Sequence, residues 1–198
     1  MAKNDVEVEI KLVLTKEEFE RIGEKVREIA KFVKTSEQVD DYYNPPHRNF
    51  VRDLPFEWLS IRKRGGKTIL SYKHYYPEDA LVTTHCDEFE TEIADCTRLE
   101  KIFAAINLKK LVTVEKYREV FVFQDKFEIA LDTVKDLGYF MEVEALEDFG
   151  GVDETRRQLL EFARELGIES IKLSPRGYAF LMLEKAGLVK HLPDMVEG

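Results

Sequence analysis

The chain has 198 residues, of which 44% are hydrophobic, and its formal net charge is −9 at pH 7. This length and composition predict one compact domain over residues 1–198, because two separate cores would each be small. The acidic balance argues against nucleic acid or an anionic membrane as a partner. The only cysteines, Cys86 and Cys96, match no disulfide framework or zinc spacing, and no apolar run suits a signal or membrane span, so we expect a cytoplasmic location.

The first half of the chain is predicted to contain one helix among four strands. In chain order, a strand, a helix and three strands are expected over residues 5–13, 16–34, 38–43, 57–64 and 67–75. The helix begins at Thr15-Lys16-Glu17-Glu18, which fits a capping box, and its apolar residues recur at helical spacing. The last two strands form a hairpin, because Gly65-Gly66 suits a tight primed turn.

The second half is predicted to contain four more strands and three helices. In chain order, a strand, a helix, three strands and two helices are expected over residues 86–94, 95–107, 111–122, 126–134, 138–146, 153–167 and 174–185. A second hairpin turns at Gln124-Asp125. Asp153 is expected to cap the next helix, which Gly167 ends, and Ser174-Pro175 to start the last one. The strands thus occupy about residues 5–146, and the C-terminal helices about 152–190.

Charged side chains fall on one face of nearly every predicted strand. Successive side chains of a strand point to opposite faces, so residues two apart share a face. The acidic residues on this face are Glu7, Glu9, Glu88, Glu90, Glu92, Glu128, Asp132, Glu142 and Glu144. The basic residues on it are Lys11, Arg62, Arg64, Lys73, Lys116 and Arg118. The opposite faces are apolar, and acids and bases are segregated by strand, whereas an ordinary solvated face mixes them.

Two architectures fit this pattern. In the first, an open antiparallel sheet packs its apolar face on helices and exposes its charged face to water. In the second, which we favour, the fold is α+β: a closed eight-stranded antiparallel β-barrel encloses the charged face, and the amphipathic helices cover its apolar outside. A lumen of eight strands holds one small ligand. Enclosed charges need partners, and these acids suit divalent cations while these bases suit a polyphosphate.

The stretch Glu7-Val8-Glu9-Ile10-Lys11 resembles the E-x-E-x-K signature of the CYTH superfamily, the triphosphate tunnel metalloenzymes. Later matches come in the family's order and extend the resemblance over about residues 5–185. They are Arg62, Lys73, the acids of DEFETEI, Lys116-Tyr117-Arg118, Asp132 and the closing strand Gly138 to Glu144. This superfamily includes class IV adenylate cyclases, thiamine triphosphatases and inorganic triphosphatases.

Within the superfamily, the chain resembles the class IV cyclase branch, often called CyaB. The stretches QVDDYYNPPHRNF and EWLSIRKR carry this likeness. Ser60 departs from the branch, since many members have an arginine there, and Arg64 on the same face is a possible substitute. Tyr178 matches the family's C-terminal helix only loosely.

The resemblance implies a role for each group of charged residues. The metal ligands are expected to be Glu7, Glu9, Asp132, Glu142 and Glu144, and the cofactors two Mg²⁺ or Mn²⁺ ions. The triphosphate ligands are expected to be Lys11, Arg62, Lys73, Lys116 and Arg118. Weaker candidates are Arg64, Glu90 and Tyr178, and Glu88, Glu90 and Glu92 are expected to orient the basic residues. For the charged residues, the alternative is a structural ion pair, which stabilises little when exposed.

The favoured function is that of an adenylate cyclase, which converts ATP to cyclic AMP and pyrophosphate. A thiamine triphosphatase or tripolyphosphatase is the alternative, because the same lumen would serve hydrolysis of a terminal phosphate. A non-catalytic module that binds nucleotide or polyphosphate is a third possibility. The cyclase branch also suggests a homodimer.

Overall fold

A computed structural model describes residues 6–52, 54–78, 80, 83–168, 171–174, 177–191 and 195–197. These residues form an α+β fold with an antiparallel sheet, as the sequence predicts. The helices are α1 Lys16–Ile29, α2 Cys96–Ala105, α3 Val152–Glu165 and α4 Tyr178–Lys185. The strands are β1 Val6–Glu7, β2 Glu9–Leu14, β3 Lys31–Asn44, β4 Glu57–Arg64, β5 Lys67–Tyr76, β6 His85–Glu92, β7 Lys109–Phe123, β8 Phe127–Val134, β9 Gly138–Ala145, β10 Ile171–Leu173 and β11 Met195–Glu197.

The chain divides into two compact units, each with its own ladder of strands. Unit 1 contains Val6 and the described residues of 37–115 and 177–191, and there β4 pairs with β3 and β5, and β5 with β6. Unit 2 contains the described residues of 7–36, 116–174 and 195–197. Its neighbouring strands follow the order β7-β8-β9-β2-β10-β11. All of these pairings are antiparallel. The prediction of a single domain over 1–198 stays a prediction.

One detail of the predicted barrel differs from the structure. Among the described residues, hydrogen bonds do not close the sheet into a barrel. The predicted first strand is interrupted at Val8, which separates β1 from β2. β10 and β11 were not expected, because three residues are too few to show a two-residue period.

Both predicted hairpin turns are confirmed by backbone geometry. Gly65 and Gly66 have φ values of 54° and 80°, and Gln124 and Asp125 have 53° and 56°. A primed turn needs two central residues in this left-handed region, which glycine enters at little cost. The turns fix which residues face each other across β4–β5 and β7–β8, and so they set the geometry of the charged face.

The capping box of α1 is also confirmed, but the predicted end of the helix is wrong. The Thr15 hydroxyl accepts the Glu18 N–H at 3.2 Å, and the Glu18 carboxylate accepts the Thr15 N–H at 2.8 Å. The helix stops at Ile29 instead of residue 34, because Ala30 has an extended backbone and β3 begins at Lys31. Val33, counted as part of the apolar helix face, lies on this strand and is 48% exposed.

Two other helix starts are corrected. The N-cap of α3 is Gly151, with φ at 99°. Asp153 lies inside the first turn, where its carboxylate interacts favourably with the positive end of the helix dipole. The last helix begins at Tyr178 after the cap Gly177, not at Ser174. Pro175, the other half of the predicted start, lies outside the described residues.

The apolar faces of the strands form the core of each unit. In unit 2, Ile10 and Leu12 of β2 and Met141 of β9 pack with α1 and α3, through residues such as Ile22 and Leu159. In unit 1, a smaller cluster packs Tyr43 and Ile61 against Phe103 of α2. Because side chains alternate along a strand, Glu9 and Lys11 of β2, Arg62 of β4, and Glu142 and Glu144 of β9 lie on the opposite face from this packing. No helix within the described residues is long and apolar enough to cross a membrane.

Candidate active site

Each unit has a group of mostly charged side chains on the face of its strands opposite its own core. We call the group in unit 2 the Arg118 cluster; its members are Glu9, Lys11, Lys116, Arg118, Glu128, Asp132, Glu142 and Glu144. We call the group in unit 1 the Arg62 cluster; its members are Asp40, Arg62, Ser71, Lys73, Glu88 and Glu90. Each cluster is described by itself.

Strand register brings three carboxylates of the Arg118 cluster into one row. Glu9 of β2 lies opposite Glu144 of β9, which lies opposite Glu128 of β8. Like charges placed directly opposite each other on a sheet are destabilising. A row of this kind therefore has the chemistry of a cation site, since carboxylate oxygens are the ligands that Mg²⁺ and Mn²⁺ prefer.

A pocket lies beside this row. Its lining residues are Glu9, Arg118, Glu128, Ala130, Glu142 and Glu144. The donors fit a hard divalent cation in their chemistry. Within the part of the chain that the structure describes, no three acidic, histidine or cysteine side chains already stand as a set of metal ligands. Holding a metal here therefore requires the carboxylates to turn toward it.

Glu142 is held by basic residues at the edge of the same pocket. Its carboxylate contacts Lys11 at 3.0 Å and accepts a hydrogen bond from Arg118. Burial alone would raise the pKa of Glu142, but the charges of Arg118, Lys11 and Lys116 hold that pKa well below its usual value. Glu142 is therefore ionised at neutral pH and bridges two of the predicted phosphate ligands.

Asp132 fixes the position of Arg118 through two hydrogen bonds. The Arg118 guanidinium donates from Nε to Asp132 Oδ1 at 2.7 Å and from Nη2 to Oδ2. Lys116 Nζ lies 3.8 Å from the same carboxylate, whose side chain is fully buried. Two parallel hydrogen bonds between a guanidinium and a carboxylate fix the orientation of both groups. Asp132 thus contacts basic residues, and it is absent from the lining of the pocket.

The Arg62 cluster places one guanidinium among three carboxylates. Arg62 Nη1 donates to Glu88 at 2.7 Å and to Glu90 at 2.8 Å, and Nε lies 3.8 Å from Asp40. Burial alone would lower the pKa of Arg62, but the charges of Asp40 and Glu88 raise it above its usual value, so the guanidinium stays protonated. Glu88 also contacts Lys73 at 3.1 Å.

Tyr42, on the same strand as Asp40, has a pKa that is shifted by its surroundings in this cluster. Burial, followed by the charge of Asp40, raises the pKa of Tyr42 to about 12. The phenol is therefore neutral at physiological pH and is not a base. The cations of this cluster are Arg62 and Lys73, and each of them contacts the carboxylate of Glu88 directly.

Comparison with known proteins assigns the family. The CYTH domain model matches residues 5–178. The chain belongs to the CYTH family. The resemblance predicted from the E-x-E-x-K stretch is confirmed by this match.

Relatives of this CYTH protein cover nearly its whole length. A Methanocaldococcus jannaschii protein named "putative adenylate cyclase" is 29% identical over 185 residues, which are 92% of this chain and 99% of that protein. A solved structure from Pyrococcus horikoshii has a TM-score of 0.76 and 32% identity, and the match covers 90% of this chain and 99% of the other. A Hippeastrum structure, described as a "putative adenylyl cyclase" with a dominant triphosphatase activity, has a TM-score of 0.60 and 18% identity, covering 95% and 97%.

The remaining site residues predicted from the CYTH resemblance are Glu7, Arg64 and Tyr178, and they are not members of either cluster. Glu7 is buried on β1 and is not part of the pocket lining. Arg64 lies at the end of β4 opposite Gln38, and Tyr178 is the buried first residue of α4. Ser60, the predicted departure from the cyclase branch, is buried opposite Ser71, so two short side chains meet at that level of the sheet.

Two acidic residues of the clusters received no role from the sequence. Glu128 lies on the charged face, and only its register against Glu144 places it in the carboxylate row. Asp40 lies in the stretch QVDDYYNPPHRNF, which supported the family resemblance but predicted no contact with Arg62. Pairing between strands would have revealed both. Glu88, which was expected to orient basic residues, contacts both Arg62 and Lys73.

Proposed function

We propose that this CYTH protein is a metal-dependent enzyme that acts on a triphosphate, and specifically an adenylate cyclase that forms cyclic AMP and pyrophosphate from ATP. The observation that carries the proposal is the Arg118 cluster, where a row of carboxylates adjoins Lys11 and Arg118 with Glu142 between them. The name of the Methanocaldococcus relative favours the cyclase reaction. Enzymes of this family are generally metal-dependent.

In this proposal the carboxylates hold divalent cations, Mg²⁺ or Mn²⁺. Glu9, Glu128, Glu142 and Glu144 line the pocket and are the candidate ligands, whereas Glu7 stays a predicted one. When bound, such ions would lower the pKa of the attacking hydroxyl and neutralise the charge of the phosphates. Asp132, predicted as a ligand, instead contacts Arg118 and Lys116, and we propose that it positions them.

The basic residues of each cluster are proposed to bind phosphate oxygens. Arg118 and Arg62 are suited to bidentate contacts, and Lys11, Lys73 and Lys116 to the contacts of a point charge. Their charges would stabilise the negative charge that develops on the departing pyrophosphate. The carboxylates that now contact them orient these cations before the ligand arrives.

Hydrolysis of thiamine triphosphate or tripolyphosphate is the second candidate function. The observation in its favour is the triphosphatase activity described for the Hippeastrum protein, although 18% identity indicates a common fold alone. The two reactions differ in the nucleophile, a ribose hydroxyl or a water molecule, and in which phosphorus it attacks. The cytoplasmic location and the homodimer stay predictions from the sequence.

Product analysis tests these candidates. The purified full chain is incubated with Mg²⁺ or Mn²⁺ and, in separate reactions, with ATP, thiamine triphosphate or tripolyphosphate. Cyclic AMP with pyrophosphate supports the cyclase, and orthophosphate supports the triphosphatase. Glu144→Gln should abolish either product while tripolyphosphate still binds, and Glu28→Gln, on the exposed surface of α1, serves as its control. Binding of tripolyphosphate without any product from the wild type would leave only a binding module.

A further inference from the structure

The three carboxylates around Arg62 are not equivalent. Glu88 is 8% exposed, and besides Arg62 it contacts Lys73 and accepts a hydrogen bond from the Ser71 hydroxyl, both at 3.1 Å. Asp40 is 2% exposed and lies 3.8 Å from Nε. Glu90 is 31% exposed, and the contact described for its carboxylate is the 2.8 Å hydrogen bond from Arg62 Nη1. Of the three, Glu90 can leave the guanidinium at the lowest cost.

Both N–H groups of Arg62 Nη1 are engaged by acids. One donates to Glu88 and the other to Glu90, and a terminal guanidinium nitrogen carries only two hydrogens. A phosphate that binds in bidentate fashion across the two terminal nitrogens needs one of the two hydrogens on Nη1. Since Glu88 is fixed by three partners, the hydrogen that becomes available is the one given to Glu90.

We infer that Glu90 is a built-in competitor of the ligand, whose carboxylate takes the place at Arg62 that a phosphate of the substrate must occupy. This inference rests on the proposed function, because it concerns how Arg62 binds a triphosphate. It assigns to Glu90 the opposite role from an anchor: Glu88 holds Arg62 in place, and Glu90 lowers the affinity for anions until a highly charged ligand displaces it. Glu90 thus helps to set how strongly charged a ligand must be in order to bind.

The same strand offers a matched control. Glu92 follows Glu90 by two residues, lies on the same face of β6, and contacts Lys67 at 2.9 Å with both side chains more than half exposed. A change of Glu92 to Gln removes the same charge from the same strand but leaves Arg62 with its partners. A general effect of net charge on anion binding would therefore appear in both variants.

Calorimetric titration with tripolyphosphate, in EDTA and without added metal, tests the inference on the wild type, Glu90→Gln and Glu92→Gln. We expect Glu90→Gln to bind tripolyphosphate about tenfold more tightly than the wild type does. This factor corresponds to the lower end of the free energy of a hydrogen bond to a charged group, since Glu90 is partly exposed. Glu92→Gln should stay within about twofold of the wild type. Unchanged or weaker binding by Glu90→Gln, or an equal gain in Glu92→Gln, would overturn the inference.

A double-mutant cycle then locates the effect at Arg62. In an Arg62→Gln background, the change of Glu90 to Gln should produce no gain, since the competed group is missing; a persisting tenfold gain would contradict the role of Arg62. Thermal unfolding checks that each variant is folded. If the wild type and both glutamate variants all fail to bind tripolyphosphate, in EDTA and again with added Mg²⁺, the proposed function fails together with this inference; binding that appears only with Mg²⁺ and is equal in all three proteins overturns the inference alone. If they bind and Glu90→Gln shows no gain, only the inference fails.

Discussion

Arg118 and Asp132 face each other directly across β7 and β8, and the guanidinium donates hydrogen bonds to both oxygens of the fully buried carboxylate. This pair orients the same arginine that also donates to Glu142 at the edge of the pocket. The strand register created by the turn at Gln124-Asp125 therefore determines where a proposed phosphate ligand lies.

Asp132→Asn should destabilise the protein strongly, because it removes the charge of the fully buried carboxylate that both Arg118 and Lys116 contact. Removing one partner of a buried ion pair costs about 3 kcal/mol or more, so we expect the free energy of unfolding to fall by about that amount. Urea denaturation at pH 7 measures the change. Asp125→Asn, at an exposed turn position that Asn tolerates, is the control and should stay within about 0.5 kcal/mol of the wild type. Equal stability of Asp132→Asn and the wild type would contradict the anchoring role.

Glu128→Gln should weaken metal binding, although Glu128 had no predicted role. It removes one of three carboxylates that face each other across β2, β9 and β8, and affinity for divalent cations follows the number of charged ligands. We expect the dissociation constant for Mn²⁺ to rise by roughly tenfold. Calorimetric titration with Mn²⁺ in the absence of substrate measures it, with Glu28→Gln as the exposed control. An unchanged Mn²⁺ affinity in Glu128→Gln would place the metal elsewhere.

Much of this site follows from the sequence, and the exceptions share a physical cause. The two-residue period assigned Lys11, Arg118 and Glu142 to one charged face, and the register now brings Lys11 opposite Glu142. The partnership of Glu128 with Glu144 and of Asp40 with Arg62 depends on which residues pair between strands. A period within one strand contains no such information.

The predicted bounds of α1 and of the first strand were wrong because sequence periodicity does not show where an element ends. Residues 30–34 continue the apolar spacing of α1, yet the backbone turns extended at Ala30 and the segment becomes part of β3. Tertiary pairing overrides a weak helical preference there. The interruption at Val8 divides a strand whose alternation of apolar and charged residues is unbroken in the sequence. Periodicity predicts which face a residue takes more reliably than it predicts where an element ends.

Stability should depend on pH through Glu142. The charges of Arg118 and Lys11 hold its pKa in the folded protein below the ordinary value of 4.5. A carboxylate with a lowered pKa contributes stability that is fully present above that ordinary value and is lost as the pH falls through its lower pKa in the folded state. Urea denaturation between pH 7 and pH 3 should therefore show a smaller fall in the free energy of unfolding for Glu142→Gln than for the wild type. Glu28→Gln should follow the wild type, and parallel curves for all three proteins would exclude this contribution of Glu142.

Glu88→Gln and Glu90→Gln should differ in their effect on stability, although the two residues share one nitrogen of Arg62. Glu88 is the buried partner of Arg62, Lys73 and Ser71, so its neutralisation leaves two buried cations close together. We expect the free energy of unfolding to fall by about 3 kcal/mol for Glu88→Gln. Glu90 is partly exposed and leaves Glu88 in place, so Glu90→Gln should cost less than about 1 kcal/mol. Urea denaturation of both variants in EDTA measures the contrast. A loss for Glu90→Gln as large as that for Glu88→Gln would mean that Glu90 is a fixed structural partner of Arg62, and it could not then give way to a phosphate.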